Sequence, residues 1–112
     1  MKYIIDAHAW IEYLRGSDLG QKVNDIINSN NEIYVLTITI AEVVSKIKRK
    51  KENSEIAYHS IVKNASIIEP TPRMAKRAGL LHAEKRKEMP QFGIVDSLVI
   101  ATAEEIRATI VT

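Results

Sequence analysis

The chain has 112 residues, 46% hydrophobic and 27% charged, with 16 Lys and Arg against 14 Asp and Glu for a net charge of +2. That length carries one domain, residues 1–112, with a core of its own, and that composition excludes a disordered polymer. No apolar run approaches the roughly 20 residues of a membrane span, and the absence of cysteine excludes disulfides, zinc–thiolate sites and thiol nucleophiles.

Tyr3-Ile4-Ile5 reads as a short buried strand closed by Asp6. Trp10, Ile11 and Leu14 follow at helical spacing, and Gly16-Ser17 stops them. Ser17 caps a second helix carrying Leu19, Val23, Ile26 and Ile27, which ends in the Asn28–Asn31 stretch. Ile33–Leu36 is the second strand. Thr39-Ile40-Ala41-Glu42 matches a capping box and predicts a helix opening at Thr39. That helix carries Val43, Val44 and Ile47 and runs out into Lys48-Arg49-Lys50-Lys51. A further helix is expected from Ser54 to Val62, then a third strand over Ser66–Ile68. Thr71 caps the next helix with Pro72 in its first turn, and it extends to Lys87. Pro90 and Gly93 break the chain before an apolar helix, Ile94–Glu105, and a final β-branched strand, Thr109–Val111. Strands alternating with helices predict parallel pairing through right-handed crossovers, hence an α/β sandwich around a small parallel sheet. In such sheets ligands bind beyond the carboxyl ends of the strands.

Charge is unevenly distributed. Residues 1–45 hold three basic and six acidic side chains, net −3; residues 46–87 hold twelve and four, net +8; residues 88–112 hold one and four, net −3. A basic surface beside an acidic pocket suits nucleic acid, although a solvated helix face also explains a basic run. No basic-then-apolar leader opens the sequence, and with no Cys the expected compartment is the cytoplasm.

Three acids fall at successive strand-to-helix junctions: Asp6 after the first strand, Glu42 one turn beyond the second, and Asp96 near the start of the last helix. Each has a structural explanation beside the functional one. Asp6 can cap the next helix, and Glu42 can complete the capping box with Thr39. Asp96 shares a face with Val99 and Ile100 and has no Lys or Arg in the eight residues before it. An uncompensated carboxylate on an apolar face is costly, so a partner is expected. Three gathered carboxylates repel one another, and a hard divalent cation such as Mg²⁺ or Mn²⁺ relieves this. A phosphate loop and a nucleophile elbow are both absent, the four glycines being scattered. A phosphoacceptor receiver is disfavoured, since no acid neighbours Asp6 and no Lys follows Lys87. His8 lies close enough to Asp6 to touch the site; His59 and His82 read as surface or packing residues.

Four segments carry a family resemblance. Tyr3 to Gly16 (YIIDAHAWIEYLRG) resembles the opening of PIN domains, especially the VapC-like toxins of toxin–antitoxin pairs. Thr37 to Val43 (TITIAEV) resembles their second motif, Val95 to Ala103 (VDSLVIATA) their third, and Ala108 to Thr112 (ATIVT) the strand that follows. Each segment alone is weak, while all four in order along the chain are specific. The resemblance implies a three-layer α/β/α sandwich and a Mg²⁺- or Mn²⁺-dependent endoribonuclease. Asp6, Glu42 and Asp96 match its catalytic and metal-binding acids. It also implies a homodimer and an inhibitory partner, the cognate antitoxin. The substrate would be RNA, with Lys48, Arg49, Lys50 and Lys51 as candidate phosphate contacts.

For the dimer, the helices Ser54–Val62 and Pro72–Lys87 offer Ile56, Ile61, Leu80 and Leu81 among small residues. Two departures stand out. His8 occupies a place where the family commonly has a small hydroxyl residue. The family's fourth acid, in a Thr-x-Asp pattern, and its last strand both lie past Thr112, where the sequence given ends. They keep open a second reading, a catalytically weak RNA- or partner-binding module of the same fold.

Overall fold

The computed structural model describes residues 1–112. Four parallel strands, β1 (Lys2–Ile5), β2 (Glu32–Leu36), β3 (Ser66–Ile68) and β4 (Thr109–Val111), form one sheet in the order β3-β2-β1-β4. Six helices make the connections: α1 (Ala7–Arg15), α2 (Asp18–Asn28), α3 (Thr37–Arg49), α4 (Ser54–Asn64), α5 (Pro72–Lys85) and α6 (Ile94–Ile106). The order turns back on itself between β1 and β4, which makes that edge of β1 the switch point of the sheet.

Alternation along the strands sorts the core into two layers. Ile5, Ile33 and Val35 face α1 to α4 and pack with Trp10, Val23, Val43, Ile47 and Ile61. Ile4 and Leu36 point the other way, onto Val99 and Ala103 of α6. Ile4 and Ile5 are both fully buried, and burial of each is worth roughly 1.5–3 kcal/mol. Helix α5 forms the outer side of the second layer. The buried Ser97 hydroxyl of α6 donates to the Ala78 carbonyl at 2.9 Å, and Arg77 holds Glu104 through Nε and Nη2 at 2.9 and 2.7 Å. The architecture is thus the three-layer α/β/α sandwich that the sequence predicts.

Local signals set most helix ends. Asp6, Ser17, Asn53 and Thr71 each accept from the first turn of the helix they precede. Gly16 closes α1 at φ 68°, donating to Glu12 O and Tyr13 O. Helix α3 departs from expectation. It begins at Thr37, directly from the strand, with Leu36 at the cap position and no side-chain cap. Thr39 is buried, and its hydroxyl has no partner. The capping box therefore does not form: burial of Leu36 at the strand end fixes where the helix starts, and this turns Thr39 inward. Helix α5 ends at Lys85 rather than Lys87, and a turn donating Glu88 N and Met89 N to Lys85 O follows. Ile61 and Ala57 belong to the monomer's own core, whereas Ile56 and Leu80 stay 62% and 66% exposed. Of the apolar residues expected at an interface, Ile61 is therefore unavailable.

Helices α1 and α2 approach closely at Gly20, where a Cβ would run into the Glu12 carbonyl. Gly79, on α5, has no atom within 4 Å of the same position. Gly20→Ala should therefore destabilise the chain by about 1–3 kcal/mol, while Gly79→Ala should stabilise it by about 0.5–1 kcal/mol. Urea unfolding of the two variants checks both, and equal effects would contradict this account of Gly20.

Candidate metal centre at the strand ends

The first acid emerges from the sheet itself. Asp6 N–H donates to Val111 O at 3.1 Å, so the β1–β4 ladder runs one residue beyond Ile5. The Asp6 carboxylate then turns over α1, and Oδ1 accepts the Ala9 N–H at 2.9 Å. The capping role of Asp6 is real, and it leaves Oδ2 without a hydrogen bond.

Asp96 stands in the first turn of α6 and is exposed rather than buried on the apolar face. Its Oδ2 lies back over the helix start: a Cβ at Gly93 would come within 3.3 Å of it. No cation of the chain pairs with Asp96, so the partner expected from its apolar neighbours is not supplied by protein. Solvent and the positive end of α6, which has no side-chain cap, stabilise the charge instead.

Glu42 lies in the second turn of α3, exposed and free of the Thr39 cap. Its carboxyl is held above the ordinary value of 4.5, first by partial loss of hydration, then by the charge of Asp96 and of Asp6. Acids from three separate elements thus share one electrostatic field at the carboxyl end of the sheet.

Two adjoining hollows surround them. Asp6 and Asp96 together line a cavity of about 330 Å³ with Val99, Ile100, Ile110 and Thr112. Glu42 lines a cleft of about 490 Å³ between α1 and α3, with His8, Ser45, Lys46 and Arg49. Of the four candidate phosphate contacts, Arg49 alone reaches this cleft; Lys48, Lys50 and Lys51 point into solvent around the frayed end of α3. Arg49 Nε donates to Ser45 Oγ at 3.4 Å. Lys46 is the cation that sequence reading passed over, although its position four residues after Glu42 puts both on one helix face. His8 reaches the cleft too, with Nε2 3.7 Å from Glu12 Oε1. His59 and His82 lie elsewhere, beside Glu55 and Phe92.

No three acids or histidines of the chain are drawn together tightly enough to form a closed ligand set. The donors are all hard oxygens, and the charges of Asp96 and Asp6 add to the loss of hydration that holds the Glu42 carboxyl up. Both features fit a small divalent cation that keeps much of its water.

Fold and site define a doubly wound α/β domain with an acidic centre at its switch point. A family profile for the PIN domain matches residues 3–112, and the chain belongs to that family. No curated protein sequence matches it. Among solved structures it resembles VapBC2 from Rickettsia felis, bound to a DNA fragment from the promoter, with a TM-score of 0.75 and 20% identity over 98% of this chain and 85% of the other. A toxin–antitoxin complex from Klebsiella pneumoniae gives 0.74 and 19%, over 96% and 82%. VapC20 from Mycobacterium tuberculosis, a Sarcin-Ricin loop cleaving toxin, gives 0.73 and 11%, over 95% and 84%.

A carboxyl that is harder to ionise in the fold than in the unfolded chain costs stability once it is charged. The cost is absent below the unfolded value of about 4.5 and complete above the raised folded value. Glu42→Gln should therefore raise the melting temperature at pH 7 in EDTA, and the gain should vanish as pH falls below about 4.5. Thermal scans across pH 3.5–8 test this; a gain independent of pH would mean that charge is not its cause.

Proposed function

We propose that this PIN domain is a Mg²⁺- or Mn²⁺-dependent endoribonuclease and the toxin of a toxin–antitoxin pair. The observation that carries the reading is that Asp6 and Asp96 line one cavity at the carboxyl end of the sheet, with Glu42 near enough to feel the charge of both. Asp6 and Asp96 would hold the cation, and Glu42 would hold it or orient the attacking water. A bound divalent cation would supply Lewis acidity, making water nucleophilic and steadying charge on the phosphate. The chain's own contribution is placement. Ala9 N–H fixes the Asp6 carboxylate. The starts of α3 and α6, which have no side-chain caps, present N–H groups toward a phosphodiester. Lys46 and Arg49 hold a neighbouring phosphate in the α1–α3 cleft, with the Ser45 hydroxyl steadying the guanidinium.

The structural likeness to toxin–antitoxin complexes supports a cognate antitoxin as partner, with one of its cationic side chains entering the acidic pocket to displace the metal. We also propose a homodimer, supported by the exposed apolar side chains Ile56 and Leu80. Activity in the cytoplasm follows from the RNA substrate. The second reading, an RNA-binding domain that cuts poorly, draws on the absence of a closed three-acid set.

RNA cleavage should require Mg²⁺ or Mn²⁺ and stop in EDTA. Asp96→Asn should lower it by more than the roughly 10–100-fold that loss of an outer-shell partner costs. RNA bound but not cut at any metal concentration would favour the second reading. Lys46→Ala and Arg49→Ala should each reduce the salt slope of RNA binding by about one, while Lys50→Ala should leave it unchanged. Light scattering should give twice 12.6 kDa, and Leu80→Asp should return it to the monomer mass; a wild-type monomer would reject the dimer.

A further inference from the structure

Asp96 borders a second hollow that the cation site and the phosphate cleft do not use. It has a volume of about 500 Å³ and is lined by Met89, Pro90, Gln91, Phe92 and Asp96. We infer that this hollow takes one unpaired nucleobase of the RNA, on the side of the scissile phosphate opposite Lys46 and Arg49, and so contributes to the choice of cleavage site. The inference rests on the ribonuclease reading and deepens it.

The segment from Arg86 to Gly93 has no helix or strand, yet it is firmly built. Phe92 N–H donates to Met89 O at 3.0 Å, and Met89 N–H donates to Lys85 O at 2.8 Å. The Phe92 carbonyl meets His82 Nε2 at 3.0 Å and accepts from Arg86 Nη1 at 3.4 Å. The Phe92 ring stacks on His82 with 26° between planes, and Lys85 Nζ lies 5.7 Å from its centroid. These contacts fix a half-buried aromatic ring beside a Met that is 51% exposed. With His82 stacked on the ring, the apolar surface left open in the hollow is that of Met89 and the part of Phe92 that lines it, and a fixed surface of this kind suits the face of a flat aromatic ligand. Gln91 is exposed on the same wall, and its amide can both donate to and accept from a base edge.

The two sides of the acidic centre therefore differ in chemistry. The α1–α3 cleft offers two cations and a hydroxyl, which suit a phosphate. The Met89–Phe92 hollow offers apolar surface and one amide, with no cation among its lining residues, which suits a base. Asp96 belongs to the second hollow and also to the cavity it shares with Asp6, so a base seated there adjoins the place where the backbone would be cut. Base pairing would block this seat, and the substrate must be single-stranded at that nucleotide.

The test uses the full chain in EDTA, so that RNA is bound without being cut. Anisotropy of a labelled seven-nucleotide oligoribonucleotide is compared with a set in which one abasic residue is moved along the strand. An abasic residue at one position should weaken binding by about 5- to 150-fold, the range of one base–aromatic stack. Met89→Ala and Gln91→Ala change exposed residues and should bind the intact strand more weakly while losing most of this abasic penalty. Lys46→Ala should weaken binding to every strand and keep the penalty. If all abasic strands bind as tightly as the intact one, or if the penalty survives Met89→Ala, Gln91→Ala and Phe92→Leu alike, the base site is overturned. Metal-dependent cleavage would then still stand on its own measurement. Absence of any RNA binding by the wild-type chain would overturn the base site, whereas absence of cleavage with Mg²⁺ or Mn²⁺ present would overturn the ribonuclease reading.

Discussion

β1 is hydrogen-bonded along both edges, to β2 and to β4, and its two isoleucines, at its carboxyl end, are buried in opposite layers. A four-residue strand enclosed in this way has no freedom of register. Sliding it by one residue would exchange Ile4 for Ile5 and put each side chain in the wrong layer. The residue that leaves the strand is thereby fixed in space, and that residue is Asp6. The chain has to turn there, because the next residues must return over the sheet as α1. The carboxylate that starts this helix is therefore also the one that stands at the mouth of the switch point. The place of the Asp6 carboxylate thus depends on the packing of the two residues before it.

Electrostatics around the mouth are balanced rather than minimised. Three acids would destabilise one another in isolation, but two of them are set where the backbone offsets part of the cost. Asp6 accepts a backbone N–H, and Asp96 lies over the start of α6. Glu42 has no such help, and partial loss of hydration, with the charges of Asp96 and Asp6 after it, holds its carboxyl above the ordinary value. A cation entering the mouth would relieve the repulsion among all three. The same repulsion would make the mouth receptive to a cationic side chain from a partner.

The fold was legible because periodicity and punctuation agreed in nearly every element. Ser17, Thr71 and Gly16 act where their residue types predict, and the alternation of strand and helix left little choice but a parallel sheet. Helix α3 was misread because Thr39-x-x-Glu42 has the form of a capping box, while the true start depends on the burial of Leu36, a tertiary fact that local pattern does not contain. The acids were legible from their places after strands. The cations were less so. Lys48 to Lys51 stand out as a run, but a run at a helix end sprays in all directions, whereas Lys46 and Arg49 share one groove. Helical phase from Glu42 separates Lys46 from that run. The loop around Phe92 had no periodic signal, and its order comes from carbonyl contacts across ten residues of sequence.

The double duty of Asp6 bears on how such a site decays. Glu42 and Asp96 make no hydrogen bond within the protein, so under the proposed reading drift at either position would remove activity and leave the scaffold intact. Drift at Asp6 also removes a helix cap, and replacing a cap with Ala costs about 1 kcal/mol. Asn caps as well as Asp does, so it is the least disruptive replacement there. If the chain cuts RNA as proposed, inactive descendants would be expected to lose the acids of α3 and α6 first and to keep Asp or Asn at position 6 for longest.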